Sequence, residues 1–193
     1  MMTDLPNILT LSRIAAIPLL VLLVAMCAPW ADVLAALLFT AAGITDYLDG
    51  RLARERLQLS DFGRMLDPIA DKLLVGAALM MLVGTDRLSG GGLYPAIVIM
   101  LREILVSGLR EYLALIRVGL PVTKLAKWKT AFQMGALGTL LAGASGAALI
   151  HLDWLPVHAI GEAMLWIAAL LTLVTGWDYL VAGLRHANTV HPP

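Results

Sequence analysis

Six stretches of about twenty mostly apolar residues recur along this 193-residue chain, at 8–27, 33–52, 65–83, 94–117, 128–150 and 159–184. Each is long enough to cross a hydrocarbon slab as a helix. Water is absent there, so each segment must pair its own backbone groups, and a chain patterned this way folds as a helix bundle. Pro18 falls inside the first span, where membrane helices tolerate it. The third is expected to open on Asp67-Pro68, an N-cap followed by a first-turn proline. Gly135, Gly138, Ala142 and Gly146 give the fifth small side chains for close packing. The expected fold is all-α, a polytopic membrane protein with six transmembrane helices, residues 1–193 forming a single domain without repeats.

Composition agrees. Hydrophobic residues make up 60% and charged residues 15%, against roughly 25% charged in soluble domains. A net charge of zero excludes a polybasic nucleic-acid binder. The one cysteine, Cys27, excludes an internal disulfide and reads as a packing residue of the first span. The apolar run after Arg13 is too long for the core of a cleavable leader. Of the 14 Lys and Arg residues, eleven flank the spans on the side of the termini, Arg87 lies opposite, and Arg102 and Arg110 lie inside span four. That bias places both termini in the cytosol.

Against this apolar background, Asp46, Asp49, Asp67 and Asp71 stand out. They form D-x2-D-G-x2-A-R-x8-G-x3-D-x3-D across the end of span two and the start of span three, on the cytosolic side. Residues three or four apart share a helix face, so each pair points one way. Four ionised carboxylates meeting beside a low-dielectric slab would repel strongly. Two divalent cations would neutralise them, and all-oxygen ligation suits Mg²⁺ or Mn²⁺. Such pairs serve in-line displacement at phosphorus. Gly50 and Gly63 permit close approach of backbone to a phosphate or base. Ala53 leaves the face open, Arg54 supplies a bidentate phosphate donor, and Ser60 is a further hydroxyl. Helix capping would explain one such aspartate, not four at this spacing. A cation carrier would place its acids deeper along the spans.

Span four carries Arg102, Glu103, Arg110 and Glu111. Arg102 and Arg110 lean to a similar side, and arginines in a membrane helix normally face a cavity or partner. Adjacent residues point about 100° apart, so neither acid is expected to be an immediate partner of its neighbouring arginine. With Lys127 and Lys129 at the start of span five, they form a cationic pocket suited to an acceptor that bears its own phosphate. His151, His158, His186 and His191 show no metal-ligand pattern. Trp30, Trp128 and Trp154 read as interfacial anchors, and Asp178 as a capping or packing acid. Asn7, Thr10 and Arg13 are candidates to touch a ligand from the first span.

The 46–71 string resembles the complete signature of the CDP-alcohol phosphatidyltransferases, with no fixed position departing. The resemblance implies a six-helix membrane enzyme, usually dimeric, of the bacterial cytoplasmic membrane. Such enzymes move a phosphatidyl group from a CDP-linked lipid to an alcohol and release CMP. It implies that Asp46, Asp49, Asp67 and Asp71 bind two metal ions and that Asp71 is the base on the acceptor. Gly50, Ala53, Arg54 and Gly63 would line the CDP site. The strings R102-E103-I104-x-V106-x2-L109-R110-E111, L125-x-K127-x-K129-T130-x2-Q133-M134 and N7-x-L9-T10-x2-R13 are similar to the branch that uses CDP-diacylglycerol and sn-glycerol 3-phosphate. Sibling branches that make cardiolipin or phosphatidylinositol phosphate are the alternative. The expectation is one transmembrane catalytic domain, a homodimer among membrane lipids, with motif 46–71 at its centre.

Overall fold

A computed structural model describes residues 5–56, 61–115 and 124–190, with side chains for 9–46, 66–114, 124–177 and 179–181. Six α-helices occupy the described residues: α1 Leu5–Ala25, α2 Pro29–Arg56, α3 Asp61–Gly84, α4 Leu93–Leu115, α5 Lys124–Leu149 and α6 Val157–Val190. A single 3₁₀ turn, Gly90–Gly92, precedes α4. No strand occurs among these residues, and each expected span coincides with a helix. Gly90–Ala114, Lys124–Leu149 and Val157–Val181 are long and apolar enough to cross a membrane, and Leu9–Ala25 is apolar but shorter. The chain is an all-α integral membrane protein.

The boundaries moved where proline was misjudged. α2 starts at Pro29, a first-turn position that needs no backbone donor. α3 starts at Asp61, so Pro68 lies inside the helix and Asp67 does not cap it. Pro68 has no N–H to give the carbonyl four residues back, yet the helix runs on. Cys27 is also corrected. It lies exposed, with φ 49°, in the turn after α1, because that helix stops at Ala25.

The chain divides into two compact units, Met1–Ser89 with Met134–Glu162, and Gly90–Gln133 with Ala163–Pro193. In the first, α1 packs on α2 and α3, and Leu20, Phe39, Leu74, Leu82, Leu137 and Leu141 are fully buried. The small residues of α5 allow close approach, as expected. A Cβ on Gly146 would lie 3.2 Å from Val33, and one on Gly138 would lie 3.4 Å from the Thr40 hydroxyl. α5 is kinked at Gly143, whose φ of 61° and ψ of 179° suit glycine. The Leu141 carbonyl beside the kink accepts instead from Arg87 Nη1 at 2.8 Å. The other arm of Arg87 meets Asp32 at 2.5 Å, and Ser145 donates to the same carboxylate at 2.8 Å. His158, in the first turn of α6, bonds the Arg87 carbonyl at 2.9 Å, which gives it a structural duty.

In the second unit, Ile99, Val106, Leu113, Leu165 and Ala168 form the buried core. Leu101, Ile104, Leu105, Leu170, Leu173 and Val174 point outward, as helices in lipid require. Arg102 and Glu103 of α4 and Thr172 and Thr175 of α6 turn inward, whereas Arg110 and Glu111 are exposed.

Candidate active site

α1 brings the two ends of the acidic motif together. Thr10 and Arg13 are one turn apart, share a face and are both buried. The Thr10 hydroxyl donates to Asp67 Oδ1 on α3. Arg13 Nη1 lies 2.7 Å from Asp46 Oδ1 on α2, with side chains 2% and 44% exposed respectively. Asp46 is close enough to feel the negative charge of Asp67. One carboxylate from each helix therefore converges at the face of α1. The first span was expected to offer ligand contacts; its described partners are the carboxylates themselves.

Asp71 follows Asp67 by one turn of α3 and is exposed. Asp49, Gly50, Ala53 and Arg54 lie in α2 and Gly63 in α3, but beyond helical backbone they are outside the described residues, and Ser60 is outside them entirely. Among the described residues no three His, Cys, Asp or Glu side chains gather closely enough to hold a metal ion. The donor set that is described, Asp46 with Asp67, is all oxygen and carries excess negative charge. That chemistry fits a hard divalent cation rather than zinc or copper.

One turn before Asp46, a groove of about 510 Å³ opens between α2 and α5, lined by Phe39, Thr40, Gly43, Ile44, Met134 and Gly138 among others. Gly43 keeps it open: a Cβ there would lie 2.5 Å from the Met134 terminal methyl.

The second unit holds the expected basic residues of α4. Arg102 Nη2 donates to Thr175 at 3.0 Å, and Arg110 Nη2 donates to the Tyr179 hydroxyl at 3.1 Å. Both guanidinium groups lie over the Tyr179 ring, at 5.7 and 5.0 Å from its centre. Gly176 makes room for the Arg102 stem, whose Cγ would be 3.1 Å from a Cβ placed there.

Glu103 corrects the sequence reading. Its carboxylate lies 3.6 Å from Arg102 Nη1 and accepts from buried Lys129, because long side chains bridge the 100° between neighbours. Arg102, Arg110 and Lys129 are thus linked through Glu103 and Tyr179. Lys127 is exposed on α5, and no described contact joins it to them. Thr175 and Tyr179 were missed, although their spacing of four, opposite the arginines of α4, marks one face of α6.

Comparison with known proteins adds to this geometry. Residues 3–174 match the family model described as CDP-alcohol phosphatidyltransferase. A protein of Rickettsia bellii named "CDP-diacylglycerol--glycerol-3-phosphate 3-phosphatidyltransferase" is 50% identical over 93% of this chain and 94% of its own. Proteins of the same name from Cereibacter sphaeroides and Pectobacterium atrosepticum are each 41% identical, over 95% and 96% of this chain and 96% and 97% of their own.

Proposed function

The chain belongs to the CDP-alcohol phosphatidyltransferase family, and we propose on that premise that it transfers the phosphatidyl group of CDP-diacylglycerol to sn-glycerol 3-phosphate. The products are phosphatidylglycerophosphate and CMP, a step of anionic phospholipid synthesis. One observation carries this reading. Relatives bearing that name match more than nine-tenths of the chain, including the span in which all fixed positions of the 46–71 motif stand.

The proposed roles follow from residue chemistry. Asp46, Asp49, Asp67 and Asp71 hold two divalent cations, Mg²⁺ or Mn²⁺. When bound, these neutralise pyrophosphate charge and stabilise attacking and leaving oxygens. Thr10 and Arg13 aim the carboxylates at that task. Gly50, Ala53, Arg54, Ser60 and Gly63 receive the CDP portion, and the groove beside Gly43 takes an acyl chain. Asp71, exposed at the end of the cluster, draws the proton from the 1-hydroxyl of glycerol 3-phosphate. The resulting oxygen bonds to the phosphorus that carries diacylglycerol as the bond from that phosphorus to CMP breaks. Arg102, Arg110, Lys127 and Lys129 take the acceptor phosphate. The enzyme works as a homodimer in the bacterial cytoplasmic membrane, with its site and both termini in the cytosol. No covalent phosphatidyl-enzyme is needed.

The test is CMP release by purified protein given CDP-diacylglycerol, Mg²⁺ and one acceptor at a time. Glycerol 3-phosphate should support turnover well above phosphatidylglycerol, inositol phosphate and the no-acceptor control. Release no faster than that control would overturn the proposal.

A further inference from the structure

The second unit contains buried polar atoms that no described residue answers. Gln133 on α5 is 4% exposed and Thr172 on α6 is 0% exposed. The carboxamide oxygen of Gln133, the hydroxyl of Thr172 and the Nε of Arg102 are all buried and find no partner among the described residues. Native interiors pair nearly all such groups, and a buried group left unpaired is destabilising. An apolar residue at either α5 or α6 position would have cost nothing in a membrane helix.

The three atoms flank one feature. Gln133 is a single turn beyond Lys129 on the same face of α5, and Lys129 donates to Glu103. Thr172 is a single turn before Thr175 on the same face of α6, and Thr175 accepts from Arg102. An orphaned polar atom therefore stands one helical turn from each residue that the Arg102–Glu103 pair bonds on α5 and α6.

Their chemistry specifies what would satisfy them. A carboxamide oxygen needs a donor, a guanidinium Nε–H needs an acceptor, and a threonine hydroxyl can serve either way. A lipid tail offers neither. One water could answer part of the set; a hydroxyl carried next to an anionic group answers all of it. We propose that Gln133, together with Thr172, binds the free secondary hydroxyl of the phosphorylated acceptor, while Arg102 turns toward its phosphate. This rests on the proposed function and adds to it a specificity determinant separate from the phosphate pocket.

The test compares glycerol 3-phosphate with 3-hydroxypropyl phosphate, which keeps the primary hydroxyl and the phosphate but lacks the secondary hydroxyl. The protein should prefer glycerol 3-phosphate by about tenfold or more in kcat/KM, the scale of a buried hydrogen bond left unmade. In Gln133→Leu that ratio should fall toward one, with kcat/KM for 3-hydroxypropyl phosphate and KM for CDP-diacylglycerol little changed. Glycerol 3-phosphate should also raise the melting temperature more than the analogue does, and Gln133→Leu should erase the difference. Thr172→Val carries the same comparison if Gln133→Leu does not fold. An unchanged ratio in a folded variant would overturn the proposal and leave an ordered water as the occupant. Absence of turnover with glycerol 3-phosphate in the unaltered protein would instead defeat the proposed function, so the two failures are distinct.

Discussion

Replacing Asp32 with alanine should unfold this protein at a markedly lower temperature. Asp32 is 1% exposed. It receives Arg87 Nη2 at 2.5 Å and the Ser145 hydroxyl at 2.8 Å. The Arg87 side chain is 17% exposed, and without Asp32 its described partner is the neutral Leu141 carbonyl. Removing one member of a buried ion pair costs about 3–5 kcal/mol, since the other charge stays uncompensated. At about 2–4 °C per kcal/mol for a chain of this size, the melting temperature should drop by roughly 6–20 °C. Circular dichroism of the detergent-solubilised protein on heating measures it. Arg87→Met should cost a similar amount, because it strips the kink of its donor as well as unpairing Asp32. The double variant Asp32→Leu/Arg87→Met removes both charges and should lose clearly less than the sum, by about 2 kcal/mol or more. A melting temperature for Asp32→Ala within about 3 °C of the unaltered protein, or strict additivity in the double variant, would refute the argument.

Three further outcomes are expected. Asp71→Asn should lower CMP release by at least about a hundredfold, the range of a lost general base, while helix content and melting temperature stay near those of the unaltered protein; near-normal turnover would remove Asp71 from the chemistry. Stripping divalent cations with a chelator should abolish CMP release, and added Mg²⁺ or Mn²⁺ should restore it; full activity in excess chelator would contradict metal dependence. Arg110→Gln loses a charge-assisted contact of roughly 1.5–3 kcal/mol. It should raise KM for glycerol 3-phosphate by about ten- to a hundredfold while moving that for CDP-diacylglycerol much less; equal effects on both substrates would count against an acceptor role.

How much of this could be read from the sequence depended on the range of the interaction. Helices, the small-residue face of α5 and the one-turn spacing of Asp67 and Asp71 along α3 follow from local periodicity and were legible, whereas the side chain of Asp49 on α2 lies outside the described residues. The Gly143 kink was not. A glycine in a membrane helix does not by itself specify a bend, and this one is answered by Arg87, 54 residues away. Asp67 was misread as a cap because the proline after it suggested a helix start; its described partner, Thr10, lies 57 residues back. The rule that neighbours on a helix point about 100° apart placed Cα–Cβ vectors correctly. It failed for Arg102 and Glu103 because their side chains are long enough to turn back toward each other.

The charges inside these helices differ in whether they close. Asp32 and Arg87 form a nearly closed pair, one anion to one cation, both largely out of solvent, and that arrangement does no more than hold helices. Arg13 with Asp46 is lopsided. The cation is buried, the carboxylate is 44% exposed, and Asp67 is a second anion near Asp46. In the α4 cluster Glu103 is shared between Arg102 and Lys129, and the described partner of Arg110 is the neutral Tyr179. Uncompensated charge in an apolar setting is unfavourable unless a ligand completes it. Those signs suit the proposed ligands, cations at the aspartates of the first unit and an anion at the arginines of the second. The proposed metal-dependent enzyme with a phosphorylated acceptor needs both.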